Sequence, residues 1–381
     1  MRSRAASGNF MIAKIVLTIG VLFACVGAAS AADTIRVAIV EQVRTVELRG
    51  MSIEVISLNG CPRCSAAASA DVVKAVISGA VIDVDGTRSS GFRLRSERPI
   101  RFNGRDYTGT IDLVRNGDGI AIVNELPLED YLVGVLKAET DERWPIEALK
   151  AQAIVSRTYA AYHRWLNAAK PYHIIASTAN QQYVGRVPAS SPIWEAVRET
   201  SGQVLLWEGE LFPAFYHTES GGYTEDPRTV FAARNMPALV PVRCPFSASS
   251  GSKHYYWNAD LKVSDLSEAL RKNDRGVGTV TAIEVSERTP SLRASTVTIR
   301  GSRGTVQLRG NDFRRIVGYD TLKSTLFAVA IDGDTARFAG RGYGHGVGMC
   351  QWGAKGMAEQ GYRAGQILAF YYQGATLDWL R

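Results

Sequence analysis

The stretch 126-LPLEDYLVGVLKAETDERWPIEALKAQAIVSRTYA-160 reads as two helices with a short break between them. From Glu129 to Glu139 the apolar residues Tyr131, Leu132, Val135, Leu136 and Ala138 recur at close to helical spacing. Thr140 to Trp144 interrupts the pattern. Pro145 then suits the first turn of a second helix, where its missing N–H has no partner to lose. That helix is expected to run through Glu147, Leu149, Lys150, Ala153, Ile154 and Arg157 to about Ala169. Lys150 and Arg157 are seven residues apart and so share a face. Glu139 thus ends one helix with two cations on the next. A carboxylate at a crowded junction beside cations suits acid/base chemistry. The same pattern also describes a solvated helix pair.

Outward from this stretch the composition is that of a globular protein, 46% hydrophobic and 21% charged, which argues against a disordered chain. Residues 1–31 differ. Arg2, Arg4 and Lys14 precede an apolar run from Ile15 to Ala29, and Ala29-Ser30-Ala31 supplies small residues for cleavage. This reads as a secretory signal, too short for a membrane span. A competing reading is lipidation at Cys25, since Leu22-Phe23-Ala24-Cys25 has part of a lipidation box. No other stretch reads as a transmembrane span, so the mature chain is expected to lack one. The whole chain carries +7, and removing the three cations of the signal leaves +4. Mild basicity favours an anionic polymer without choosing among nucleic acid, membrane and cell wall. The expected location is outside the cytoplasm, in a periplasm or cell-wall space.

Asp33 to Ile122 reads as strands and turns. Thr34–Val40, Val81–Val84, Gly91–Leu94 and Ile111–Val114 alternate apolar and polar residues. Asp85-Gly86, Asn103-Gly104, Asn116-Gly117 and Asp118-Gly119 are turn signals. Cys61-Pro62-Arg63-Cys64 lies between a strand-like run and a helix-like run, Ser69 to Ile77. It reads as a local disulfide, a metal clip or a thiol redox site.

Beyond the helices, Ser177 to Gly185 is a polar loop whose Gln181, Gln182 and Tyr183 suit sugar hydroxyls or a satisfied turn. Ile193 to Thr200 reads as a short helix, Val204–Trp207 and Phe212–Tyr216 as strands. His217-Thr-Glu-Ser-Gly-Gly-Tyr-Thr-Glu225 follows, with a glycine pair that lets backbone approach a ligand. Ser220 lacks a nucleophile-elbow pattern. Asp265 to Lys272 is a short helix and Val277 to Leu308 is strand-rich. In Gly340-Arg-Gly-Tyr-Gly-His-Gly-Val-Gly348 glycine recurs at every second position. An extended conformation would leave one face bare and put Arg341, Tyr343, His345 and Val347 on the other. The bare face would admit another backbone or a flat ring. Ala354–Glu359 and Ala364–Tyr372 read as closing helices.

Together these segments resemble the sporulation stage II protein D family, also called the SpoIID/LytB or amidase-enhancer family. The motifs that carry the resemblance are Leu126–Gly134, Trp144–Ala153, Ser156–Ala160, His217–Gly222 and Gly342–Ala354. The resemblance implies an α+β fold: a β-rich N-terminal unit, residues 32–125, followed by a mixed α/β catalytic domain of the SpoIID type, residues 126–381. It implies a lytic transglycosylase cutting MurNAc–GlcNAc bonds of peptidoglycan glycan strands stripped of stem peptides. Glu139 takes the place of the catalytic acid. On the substrate side the resemblance places Lys150, Gln152, Arg157, Tyr159, His217, Ser220, Gly221, Gly222, Tyr343, His345 and Gln351, and the polar loop adds Gln182 and Tyr183. Lys150 and Arg157 are expected to face the lactyl carboxylate of MurNAc.

This chain departs from the family in having Thr140-Asp141-Glu142 after the glutamate. Three acids in four residues then compete for one role. No cofactor is expected. The one alternative is zinc, as in some relatives, on His217, Cys244 and His254; Ser247 stands where a second cysteine would be. Other readings are a wall-binding protein that modulates a cell-wall amidase, and a metal-dependent hydrolase using His217 and His345. Glycan strands are the expected partner, with an amidase as a second and no nucleic acid.

Overall fold

The computed structural model describes residues 34–58, 69–231 and 236–380. The signal sequence, Cys25, Cys61 and Cys64 lie outside the described residues. The chain is mixed α/β, with a large N-terminal β-sheet and smaller sheets after it.

Ten strands precede the first helix: β1 (Thr34–Val43), β2 (Thr45–Ser57), β3 (Ser69–Ser78), β4 (Val81–Val84), β5 (Thr87–Ser89), β6 (Gly91–Arg95), β7 (Ile100–Phe102), β8 (Arg105–Tyr107), β9 (Thr110–Asn116) and β10 (Gly119–Pro127). With β11 (Ile174–Ile175) they form one sheet in the order β11-β1-β10-β9-β6-β2-β3-β4-β5, and β7 joins β8 to β2. The turn signals are used as read. Asp85-Gly86 and Asn103-Gly104 both take positive φ, the geometry that fits a two-residue hairpin to the twist of its strands. Ser69–Ile77 is a correction. It is strand, not helix, because Val73 and Ala75 alternate inward and pair with Leu48 and Val46 of β2.

β10 runs directly into α1 (Leu128–Glu139), with Pro127 as its N-cap. The break follows, then α2 (Ile146–Leu166), which stops short of Ala169. Leu126, Leu128, Tyr131, Leu132 and Leu136 share one core with the sheet residues Ile35, Val37, Ile111 and Ile122. The expected 125/126 boundary therefore falls inside a strand and within a continuous core. α2 is buried over most of its length. It gives Ala153, Tyr159 and Ala160 to that first core, and Ala151, Ile154 and Val155 to a second. Its buried polar residues Gln152, Ser156, Arg157 and Thr158 lie between those apolar contacts, so the helix is a spine between two cores.

The second core gathers Leu205, Leu239, Cys244, Met349, Ala354, Ile367 and Tyr371. It includes helices Gln351–Glu359 and Ala364–Tyr371, close to the expected closing helices. The short helix α3 (Ile193–Glu199) and strand β12 (Gln203–Trp207) also match their expected places. Phe212–Tyr216 does not: only β13 (Glu210–Leu211) and β14 (Tyr216–His217) are strand here, with Pro213 between them lacking an N–H for a ladder. A third core, around Trp257, Leu266, Val297, Phe313 and Phe338, belongs to residues 257–338. That unit carries two three-stranded antiparallel sheets and the helices Val263–Lys272 and Gly310–Val317.

Candidate active site

Glu139 is the last residue of α1, which ends because Thr140 turns to extended backbone. The Gln182 N–H donates to Glu139 Oε1 at 2.9 Å. Burial pushes the carboxyl above its usual range; the Gln182 N–H and the Gln351 amide pull the other way and do not win. Gln351 Nε2 faces the carboxyl without making a full hydrogen bond. The helix C-terminus adds to the rise, since its partial negative charge disfavours a carboxylate. Two buried phenols, Tyr131 and Tyr216, stand close enough for the charge on Glu139 to raise them in turn.

The two rival acids are in different surroundings. Asp141 is partly exposed and paired with Arg143, which holds it far below the usual range. Glu142 is lowered by Lys137, 2.7 Å away, and by the Ser191 hydroxyl. Both are carboxylates at neutral pH. Of the three acids, only Glu139 is biased to hold a proton.

A network of amides and hydroxyls lies behind it. Tyr131 Oη donates to Gln181 Oε1 (3.1 Å), and Gln181 Nε2 donates to Tyr216 Oη (3.1 Å) and to the Ser156 carbonyl (3.3 Å). Gln152 Nε2 donates to Ser156 Oγ at 3.0 Å, which leaves its own Oε1 buried and unpaired. Gln152, Ser156 and Tyr159 sit at helical spacing on the side of α2 that faces the 180s loop. Tyr159 accepts from Asn180 Nδ2 at 3.1 Å. Sequence reasoning named Gln181 only as a residue suited to sugar hydroxyls or a satisfied turn, and did not carry Tyr131 or Tyr216 into the site. Tyr131 looked like core, and Tyr216 was a strand residue with no motif of its own. Tyr183 is core in fact: its ring packs on Tyr107 and Tyr131, and its hydroxyl donates to Asn124 Oδ1. Trp144 and Trp352 meet edge to face, ring centroids 5.2 Å apart, one at the end of the break and the other next to Gln351.

Lys150 and Arg157 do share a face, and it is turned to α3 rather than to an opening. Lys150 Nζ is paired with Glu147 (2.9 Å) and Glu199 (2.6 Å). Arg157 is 0% exposed. Its guanidinium grips Glu129 with two bonds of 2.8 and 2.6 Å and donates to the Gln203 carbonyl. Neither is placed to meet a lactyl carboxylate. Spacing gave the shared face correctly and gave no information on which neighbour would take it.

The glycine-rich segment is not a flat strand. Gly342, Gly344, Gly346 and Gly348 all have positive φ, so the chain coils past its neighbours. The bare side nevertheless admits a backbone, and it is the protein's own. A Cβ on Gly348 would lie 1.9 Å from the Phe215 carbonyl oxygen, and one on Gly342 2.7 Å from that of Glu219. The two segments are joined where Tyr216–His217 pairs in parallel with Met349–Cys350 and where Glu219 exchanges backbone bonds with Tyr343. Gln351 reaches Glu139 from the end of this seam.

His217 and His345 are adjacent, ring centroids 5.6 Å apart. His217 Nδ1 is bonded to the Val347 carbonyl, and His345 Nδ1 accepts from the Val347 N–H. Burial keeps both neutral, His345 at about 3. Ser220 Oγ accepts from the Gly222 N–H and has no histidine partner. Gly221 and Gly222 take positive φ against Arg341 and Tyr255, and the Tyr343 and His254 rings meet at a tilt, centroids 5.0 Å apart. Among the described residues no three His, Cys, Asp or Glu side chains gather as metal ligands, so His217, Cys244 and His254 do not form the zinc set considered above.

With this geometry in hand, comparison with known proteins gives two family matches. Residues 116–207 match the Stage II sporulation protein family, and residues 235–348 match a domain of unknown function. The chain is 30% identical over 271 residues to Stage II sporulation protein D of Bacillus amyloliquefaciens, covering 67% of this chain and 75% of that protein. The chain belongs to the stage II sporulation protein D family. It is also 31% identical to an uncharacterized protein of Brachyspira hyodysenteriae, over 77% of each. An amidase enhancer of Bacillus subtilis is 28% identical over 73% of this chain, which spans 45% of that protein.

The SpoIID match contains Glu139, the break, α2 and the 180s loop. The second match takes in the third core and the glycine-rich segment up to Gly348. His217 to Gly222 lies between the two matches. Glu139, Tyr131, Gln152, Gln181 and Gln182 of this SpoIID-family chain lie in the first match, while Tyr216 and Gln351 lie outside both.

Proposed function

We propose that the chain is an exported lytic transglycosylase that cuts the MurNAc–GlcNAc bond of glycan strands freed of stem peptides, leaving 1,6-anhydroMurNAc ends. The SpoIID/amidase-enhancer family is a group of cell-wall peptidoglycan-related proteins. The observation that carries the finer reading is that, of the three clustered acids, Glu139 alone is biased to stay protonated, while Asp141 and Glu142 are already ionised.

Hydrolytic glycosidases ordinarily use two carboxyl groups, one of them for the nucleophile or the water. A lytic reaction needs one. Glu139 gives its proton to the glycosidic oxygen as the C1–O bond breaks. The C6 hydroxyl of the same MurNAc then attacks C1, and its proton returns to Glu139. A new C1–O6 bond replaces the old one, no water is consumed and the acid is restored. Gln181, Tyr131 and Tyr216 fix the surroundings of the carboxyl, while the Gln182 N–H steadies it in the charged interval between the two transfers.

Mass spectrometry of products from stem-peptide-free strands tests this, wild type beside Glu139→Gln. Anhydro-ended fragments from wild type, lost at least about a hundredfold in the variant, are expected. Reducing ends would make the enzyme a hydrolase. No products from either protein, with strand binding kept, would favour a wall-binding protein that acts through an amidase.

A further inference from the structure

Two cysteines meet beneath the seam that carries Gln351. Cys244 and Cys350 are both 0% exposed. Cys350 is the N-cap of the helix Gln351–Glu359, and its Sγ accepts from the Gly353 N–H and the Ser220 N–H, each at 3.2 Å. Cys244 Sγ lies 3.1 Å from Tyr371 Oη. A Cβ on Gly353 would come within 2.6 Å of Cys244 Sγ and 3.3 Å of Cys350 Cβ. Glycine in the first turn of the helix leaves the room in which the two side chains meet.

We propose that Cys244 and Cys350 are joined by a disulfide in the exported protein, a covalent brace across the back of the site. This rests on the exported reading and is independent of the reaction assigned to Glu139. The surroundings favour the bond in three ways. First, the short contacts to Cys350 use its sulfur as acceptor, and a disulfide sulfur accepts as a thiol does. The contacts in which the Cys350 S–H could donate, to the Thr218 carbonyl and Glu219 Oε1, are both 3.9 Å. Losing the S–H therefore costs little. Second, the fold itself brings the two side chains together, since both lie in the second core and are the free cysteines among the described residues. Third, the bond closes a loop on the order of 100 residues, which restricts the unfolded chain strongly.

The chemistry is an exchange with an external disulfide of the export compartment, of the glutathione or dithiol-oxidase class. The Cys244 thiolate attacks one of its sulfurs and releases one thiol. Cys350, losing its proton to solvent, attacks the Cys244 sulfur and releases the second. Two protein thiols are oxidised and one external disulfide is reduced. Burial places this step in folding, before the second core closes. Once formed, the bond ties the Cys244 segment, whose N–H donates to the Gly222 carbonyl, to the residue that precedes Gln351.

The test uses the chain with Cys25, Cys61 and Cys64 replaced by serine, purified from the exported fraction. It is alkylated in denaturant before any reduction and digested with trypsin. The expected product is peptide 244–253 joined to peptide 342–355, with no alkylated cysteine until reductant is added. Reduction should also lower Tm by roughly 5 °C or more and leave the further variant Cys350→Ser unmoved. Recovery of both peptides singly alkylated, or a Tm indifferent to reduction, overturns the proposal whatever the glycan products are.

Discussion

Glu139, Asp141 and Glu142 are within four positions of one another and differ chiefly in what surrounds them. Glu139 is raised, so the native state binds its proton more tightly than the unfolded chain does. The stability it contributes is complete below its ordinary 4.5 and is lost as pH rises through the raised value. Glu139→Gln should therefore be more stable than wild type at about pH 8 and level with it at about pH 4, by urea denaturation. Arg157 gives the opposite kind of test. It is wholly buried against a partly exposed Glu129, so Arg157→Met should cost about 3 kcal/mol of stability. Lys150→Met, at a more open pair, should cost about 1 kcal/mol or less by the same assay. The three acids and two cations were all visible in the sequence. Burial was not, because it depends on α3 and the 180s loop, which spacing along α2 does not encode.

At the level of elements the reading succeeded where the signal is local. The α1–α2 pair, the hairpin turns of the first sheet and the closing helices have their own periodicity or turn chemistry. It failed where tertiary contact decides. Ser69–Ser78 has no helix-breaking residue, yet β2 recruits it as a strand. The alternating glycines matched strand period, yet only Gly340 stays in a strand, and Gly342, Gly344, Gly346 and Gly348 all take positive φ. A paired substitution separates conformation from contact. Gly361→Ala meets positive φ with open space around it, a cost of about 1 kcal/mol. Gly348→Ala meets positive φ and the Phe215 carbonyl as well, and should cost about 2 kcal/mol or more in denaturant titration. Because Gly348 lies on the seam that ends at Gln351, lytic activity should fall with it. Equal costs at the two positions would mean that the seam does not depend on this close approach.

For the molecule as a whole, all five histidines are pushed below their ordinary 6.5, His163 and His173 to about 4 and His345 to about 3. Burial is the first cause in each. A base depressed in the native state leaves the unfolded chain binding more protons below 6.5, so stability is present above that pH and drains away as pH falls. The urea midpoint should decline from about pH 6.5 toward pH 4, before most carboxylates titrate. A midpoint that holds level from pH 7 to 4.5 would show these rings to be more accessible than the three cores make them. The same enclosure carries Glu139 upward and the histidines downward, since burial disfavours whichever form is charged.

The measurement that bears most directly on the central claim is the pH dependence of kcat/KM for release of anhydro-ended fragments, which reports the free enzyme. If Glu139 is the single acid, kcat/KM is high on the acid side and falls as pH rises through a value above 4.5, the ordinary carboxyl range. A rate that instead climbs with pH through the carboxyl range would mean that the working group is a carboxylate, and the single-acid account would be wrong.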